Sequence, residues 1–143
     1  MRILRSMPLR MMASPALTAA VVFLSLVPGY PVEGDAALVV SIASVPSPLQ
    51  NTMHFVLYGL LTLFWAAALS RSSRPTLYAV TLVVGLGLVL EFAQLFAPGR
   101  YASLLDVGLN TAGVLVGIPA ANWLRRSDQR FAKALSDTGF SST

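Results

Sequence analysis

The residues whose types and spacing could do chemistry are His54, Tyr58, Glu91, Gln94, Arg100, Ser103, Asp106 and Asn110. A general acid or base needs a group that gains and loses a proton, and a second titratable group to orient or shuttle it. Glu91, Asp106 and His54 are the catalytic candidates on that criterion. An arginine presents a fork of donors to a carboxylate or phosphate. Arg100 is therefore the candidate anion binder, with Gln94, Asn110, Tyr58 and Ser103 as hydrogen-bonding companions. Other chemistries fit less well. One histidine and no cysteine leave a zinc ion only His54, Glu91 and Asp106, so no metal or other cofactor is expected. Ser103 lies close in sequence to Asp106, but that closeness does not make a Ser-His-Asp arrangement. The glycines lack phosphate-loop spacing.

Each of these residues also has a structural reading. His54 could sit at a membrane interface, Gln94 and Asn110 could only bridge packed helices, and Arg100 could snorkel to lipid phosphate. A salt-bridged structural cluster of Glu91, Asp106 and Arg100 is the alternative to a ligand or catalytic site.

The elements that must position these residues follow from composition. The chain has 143 residues, 55% of them apolar and 11% charged, against roughly 25% charged in a soluble domain. So few charges cannot coat a water-facing surface. The formal net charge is +4, but the cations cluster at the ends of apolar runs, which argues for a membrane surface and against nucleic acid. A helix crossing about 30 Å of hydrocarbon needs roughly 20 mostly apolar residues. The sequence predicts an all-α, polytopic bundle of four such helices, over 11–27, 49–69, 77–97 and 104–124. Residues 1–10 form a basic N-terminus, 11–124 the membrane domain and 125–143 a basic tail. The run from Arg125 to Lys133 suits anionic headgroups, and Ser136 to Thr143 reads as a frayed end. The first stretch is similar to a secretory signal, but Pro28-Gly29-Tyr30-Pro31 is not a small-residue cleavage site, and a retained helix is expected. Between helices one and two, Leu38 to Ile42 is a short run that could lie at the interface or dip into the membrane.

Arg2, Arg5, Arg10, Arg71, Arg74, Arg125, Arg126, Arg130 and Lys133 all fall on one side of this arrangement. Glu33 and Asp35 fall on the other, so the positive-inside rule gives both termini a cytoplasmic location. Arg100, in the turn on the outer side, is the exception. Glu91 lies roughly 21 Å along its helix from Leu77, near the outer surface, and Asp106 and His54 begin their helices on that same side. Ionisable groups within a membrane are costly and usually face a cavity or each other. Their stripes share helical spacing: Gly87, Glu91, Gln94 and Pro98 on one helix, Asp106, Asn110, Gly113 and Gly117 on another, and His54, Tyr58 and Thr62 on a third. Gly113-x-x-x-Gly117 allows close helix approach.

The block from Glu91 to Gly117, read as Glu91-x-x-Gln94, Pro98-x-Arg100, then Asp106-x-x-x-Asn110-x-x-Gly113, resembles the VanZ-like family of small bacterial integral membrane proteins. The stretch beginning His54-Phe-Val-Leu-Tyr58 is similar to that family's first motif, so the resemblance covers about 53–117. The family often carries Asp-Lys shortly before the histidine, where this chain has Gln50-Asn51. The resemblance implies a multi-pass protein of the bacterial inner membrane, with a site built from His54, Tyr58, Glu91, Gln94, Arg100, Asp106 and Asn110. It implies no agreed reaction, and resistance to the glycopeptide teicoplanin belongs to the family's namesake. Three functions follow as expectations. One is binding of an anionic lipid headgroup or lipid-linked cell-wall precursor, with Arg100 resting against Glu91 or Asp106. Another is an enzyme modifying such a lipid by carboxylate chemistry. The third is a tolerance factor for glycopeptide antibiotics. Membrane lipids are the expected partners.

Overall fold

The computed structural model describes residues 7–27 and 45–137, and these form four α-helices without a strand. They are α1 (Met7–Leu26), α2 (Ser47–Ala68), α3 (Pro75–Gln94) and α4 (Leu104–Asp137). Three are long and apolar enough to cross a membrane, at Ser47–Ala68, Pro75–Gln94 and Leu104–Ala134, and Met11–Leu26 is a shorter apolar helix. The segment between α1 and α2 with Glu33, Asp35 and Leu38 to Ile42 lies outside the described residues, as do Arg2, Arg5 and most of the Ser-rich end.

Sequence chemistry sets where the helices begin. Pro46-Ser47-Pro48 does not hold α2 back to Leu49. Proline is compatible with a helix's first turn, where the amide lacks an intrahelical acceptor. Pro48 occupies that turn, and Pro46 serves as the N-cap. Pro75 opens α3 in the same way. The far ends differ from expectation for two reasons. α3 stops at Gln94, and the chain then tightens through Leu95 N–H to Phe92, Phe96 N–H to Ala93 and Ala97 N–H to Gln94. α4 runs past Arg125-Arg126 to Asp137. Charge ends a membrane span but does not end a helix, and 125–137 contains no glycine or proline to stop it. The first part of the predicted tail is therefore helical.

The helices alternate in direction. Near one end, Ser14 of α1 donates to the Phe64 carbonyl and Trp65 donates to the Thr18 hydroxyl, while Thr76 of α3 donates to Asn122 of α4. At the other end, Arg100 and Gln94 reach the end of α1. The core holds Val21, Tyr58, Leu61, Val83, Leu90 and Val114. α1 thus belongs to the packed bundle. α2 and α4 form its tightest pair, because glycines let their backbones touch. A Cβ on Gly113 would collide with the Phe55 carbonyl oxygen, and one on Gly117 would come within 2.7 Å of the Gly59 carbonyl oxygen.

Candidate functional site

The predicted stripes face inward. Tyr58 and Thr62 on α2, Gly87, Glu91 and Gln94 on α3, and Asn110, Gly113 and Gly117 on α4 are buried. Pro98, beyond the end of α3, is exposed. All the polar candidates gather at one end of the bundle, where α1 and α3 finish and α2 and α4 begin.

Because α2 and α4 approach at Gly113, the N-terminal halves of both helices lie side by side. His54 Nδ1 is 3.0 Å from Asn110 Oδ1, and its Nε2 is 3.9 Å from Asp106 Oδ2. The hydrogen bond to Asn110 Oδ1 requires the proton on Nδ1, which leaves Nε2 facing the Asp106 carboxylate.

The start of α4 is fixed by Ser103, whose hydroxyl accepts the Asp106 N–H at 3.3 Å. A serine at this position satisfies an amide that has no acceptor within the helix. The Ser103 amide itself donates to Glu91 Oε1. Glu91 thus ties the end of α3 to the beginning of α4, across the turn that carries Arg100. Gly99, with φ at 68°, adopts the left-handed backbone that glycine tolerates best and redirects the chain just before Arg100.

Arg100 does not pair with either carboxylate. Its Nε donates to the Val27 carbonyl at 3.0 Å and its Nη2 to the Leu24 carbonyl at 2.9 Å. Those carbonyls lie in the last turn of α1 and just beyond it, and a cation is favoured at that negative helix end. Gln94 donates to the neighbouring Ser25 carbonyl at 3.2 Å. Burial pulls the Arg100 pKa below its ordinary value, against the opposing charges of Asp106 and Glu91. A guanidinium stays protonated through such a shift.

Tyr58 joins the two halves of the site. It contributes to a cavity of about 30 Å³ with His54, Gln50, Arg100, Leu24 and Ser25. On its other side a cavity of about 20 Å³ includes Asn110 and Gly87. Each has room for about one water. Among the described residues no group of three His, Cys, Asp or Glu side chains could hold a metal ion.

Sequence reading did not anticipate the carbonyls of Leu24, Ser25 and Val27, because a backbone acceptor leaves no mark in residue type. Ser25, a polar residue within an apolar run, was the available signal. Gln50 stood out only as a departure from the family's motif, yet it lines the same cavity as His54 and Arg100.

A family model described as VanZ/LLP1 matches residues 5–125. No curated protein and no solved structure matches the chain. The family match covers α1 through the membrane part of α4, and with the helices above it makes this a VanZ-like membrane protein. The chain belongs to the VanZ/LLP1 family.

Proposed function

We propose that this protein works in a bacterial inner membrane, with its polar site facing outward, and binds there an anionic group of an envelope lipid or lipid-linked cell-wall precursor. The observation that carries this reading is the convergence of His54, Glu91, Gln94, Arg100, Asp106 and Asn110 at one end of an otherwise apolar bundle. Arg100 is the recognition element. A cavity of about 30 Å³ is too small for a phosphorylated headgroup, so binding exchanges partners. The guanidinium leaves the two α1 carbonyls and takes the ligand's phosphate in a bidentate, charge-assisted pair, which is roughly twice as strong as a neutral bond. α1 is then free to swing from the mouth of the site.

Binding is favoured over acid–base catalysis by one detail of Glu91. Its carboxylate accepts the Ser103 amide and so holds the α3–α4 turn, a positioning role that needs no proton transfer. A role in glycopeptide tolerance fits the same picture, since a protein that holds a lipid-linked precursor changes what such a drug encounters.

The test is lipidomics of deletion cells complemented with wild type, Arg100→Lys or Glu91→Gln at equal membrane levels. Binding predicts that Arg100→Lys fails to restore the wild-type lipid profile, because lysine keeps the charge and loses the fork. It also predicts that Glu91→Gln retains most function. An accumulated precursor that wild type clears and Glu91→Gln does not clear would replace binding with catalysis. An unchanged lipid profile in the deletion strain would remove both.

A further inference from the structure

A second, larger space than those at the polar site lies at the opposite end of the bundle. It encloses about 390 Å³ between the end of α2, the start of α3 and the inner part of α4, within the size range of small-molecule pockets. Its walls change character along the bundle axis. Leu63, Phe64 and Ala121 line the part nearer the middle of the bundle, Ser70, Asp128 and Gln129 line the part nearer the end, and Leu124 and Arg125 lie between them. The Arg125 side chain is exposed and makes no hydrogen bond or ion pair among the described residues. It stands 21 positions after Leu104 in one helix, roughly 31 Å along the axis, which is close to the thickness of a bilayer's hydrocarbon. Arg125 therefore lies at the depth of lipid phosphates. The surrounding charge is positive, with Arg71, Arg74, Arg126, Arg130 and Lys133 against Asp128 and Asp137.

We propose that this cavity binds an anionic phospholipid of the leaflet on that side, with Arg125 holding the phosphate and Leu63, Phe64 and Leu124 packing the upper acyl chain. An amphiphile fits where a soluble anion does not, for two reasons. Asp128 lines the same cavity and weakens the pull on any bare anion. The apolar part gains only if the ligand brings hydrocarbon to cover it. The occupied lipid would brace α2 and α3 against the helical extension of α4, at the end remote from the polar site.

Native mass spectrometry of the full chain in detergent tests this. The probes are phosphatidylglycerol, phosphatidylcholine of the same acyl length, and water-soluble glycerol phosphate. Phosphatidylglycerol should remain bound as a single discrete adduct, and the other two should not. Arg125→Gln should weaken that adduct roughly five- to tenfold, the scale of one cation near an anionic lipid surface. Ala132→Trp, which fills the cavity from its exposed rim, should weaken it as much without touching the bundle core. Arg130→Gln, outside the cavity, should change it less than about twofold. Equal losses for Arg125→Gln and Arg130→Gln would mean a diffuse basic surface and overturn the site. Equal retention of phosphatidylcholine, or binding of glycerol phosphate, would overturn the lipid assignment. A wild-type chain without a discrete adduct would overturn it outright. None of these outcomes bears on the polar site at the other end.

Discussion

Arg100 shows how one side chain can serve both architecture and recognition. Its guanidinium occupies two carbonyls at the end of α1, and hydrogen bonds to a charged group are worth about 1.5–3 kcal/mol each. Lysine at this position is a compact ammonium without the planar fork, so it cannot reproduce two bonds to separated carbonyls. Arg100→Lys should therefore loosen the end of α1 while leaving the rest of the bundle folded. The chain has no cysteine, so Ser25→Cys, a near-isosteric change at a buried residue, provides a clean reporter. A membrane-impermeant maleimide should label that cysteine roughly fivefold faster or more with Arg100→Lys than with Arg100 intact. Equal rates would mean that Gln94 alone holds α1, and the partner exchange proposed for ligand binding would lose its basis. His54 makes a complementary case. Its Nδ1–H is committed to Asn110, and bonds of this kind average about 0.6 kcal/mol within membranes. Asn110→Leu should thus cost little stability, and its effect should fall on ligand binding through a misoriented imidazole. A thermal midpoint within a few degrees of wild type, with binding impaired, is the expected pair of results. The polar residues of this site were legible because charge in an apolar helix is costly and rarely idle. Arg100's partners were not legible, since the expected carboxylates lost to backbone carbonyls at the end of α1.

α2 and α4 bring His54 to Asn110, and glycine is what lets them. The spacing Gly113-x-x-x-Gly117 announces close packing, but not its partner, because each half of a helix–helix contact is coded on a different helix. Gly59 supplies the other half, with its own Cβ position 3.2 Å from the Gly113 carbonyl oxygen. A methyl on Gly113 would collide with the Phe55 backbone, which cannot rotate away as a flexible side chain would. Gly113→Ala should therefore push the helices apart and destabilise the protein by about 1–3 kcal/mol, the usual cost of overpacking. Gly108, on the same helix, has nothing within 4 Å of its Cβ position. Gly108→Ala should be neutral or stabilising by up to about 1 kcal/mol through helix propensity. Thermal melting of both variants in detergent checks the contrast, and similar losses for both would mean that the α2–α4 approach is loose. The limits of the elements teach a related lesson. Apolar runs marked the spans well, yet α2 starts earlier than the proline pair suggested and α4 ends later than its arginine pair suggested. Hydropathy reports where hydrocarbon ends, whereas helix ends depend on capping and on residues that break the backbone pattern. In this chain the two boundaries differ by more than two turns at the end of α4.

At the scale of the whole molecule, the distribution of cations sets how it sits in the membrane. The alternating helices place Arg71, Arg74, Arg125, Arg126, Arg130 and Lys133 at one end, where α1 begins, and Arg100 at the other. Short loops rich in Lys and Arg are retained in the cytoplasm during insertion. Arg100 weighs little against that bias, since its charge is turned inward onto the end of α1. Both termini should accordingly face the cytoplasm, with the polar site toward the outside and the Arg125 cavity toward the inside. The two ends would then meet different chemistry, the outer site envelope precursors and the inner cavity the lipids of the cytoplasmic leaflet. Alkaline phosphatase, which is active only when exported, reads this arrangement directly. Fusions after Asp35 and Ser103 should be active, and fusions after Arg74 and Lys133 should be silent. Activity after Arg74 would invert the protein, turn the His54–Asp106 site to the cytoplasm, and rule out an extracytoplasmic ligand. A silent Asp35 fusion beside an active Ser103 fusion would be a different failure. It would mean that α1 inserts across the bilayer only together with the later helices against which it packs.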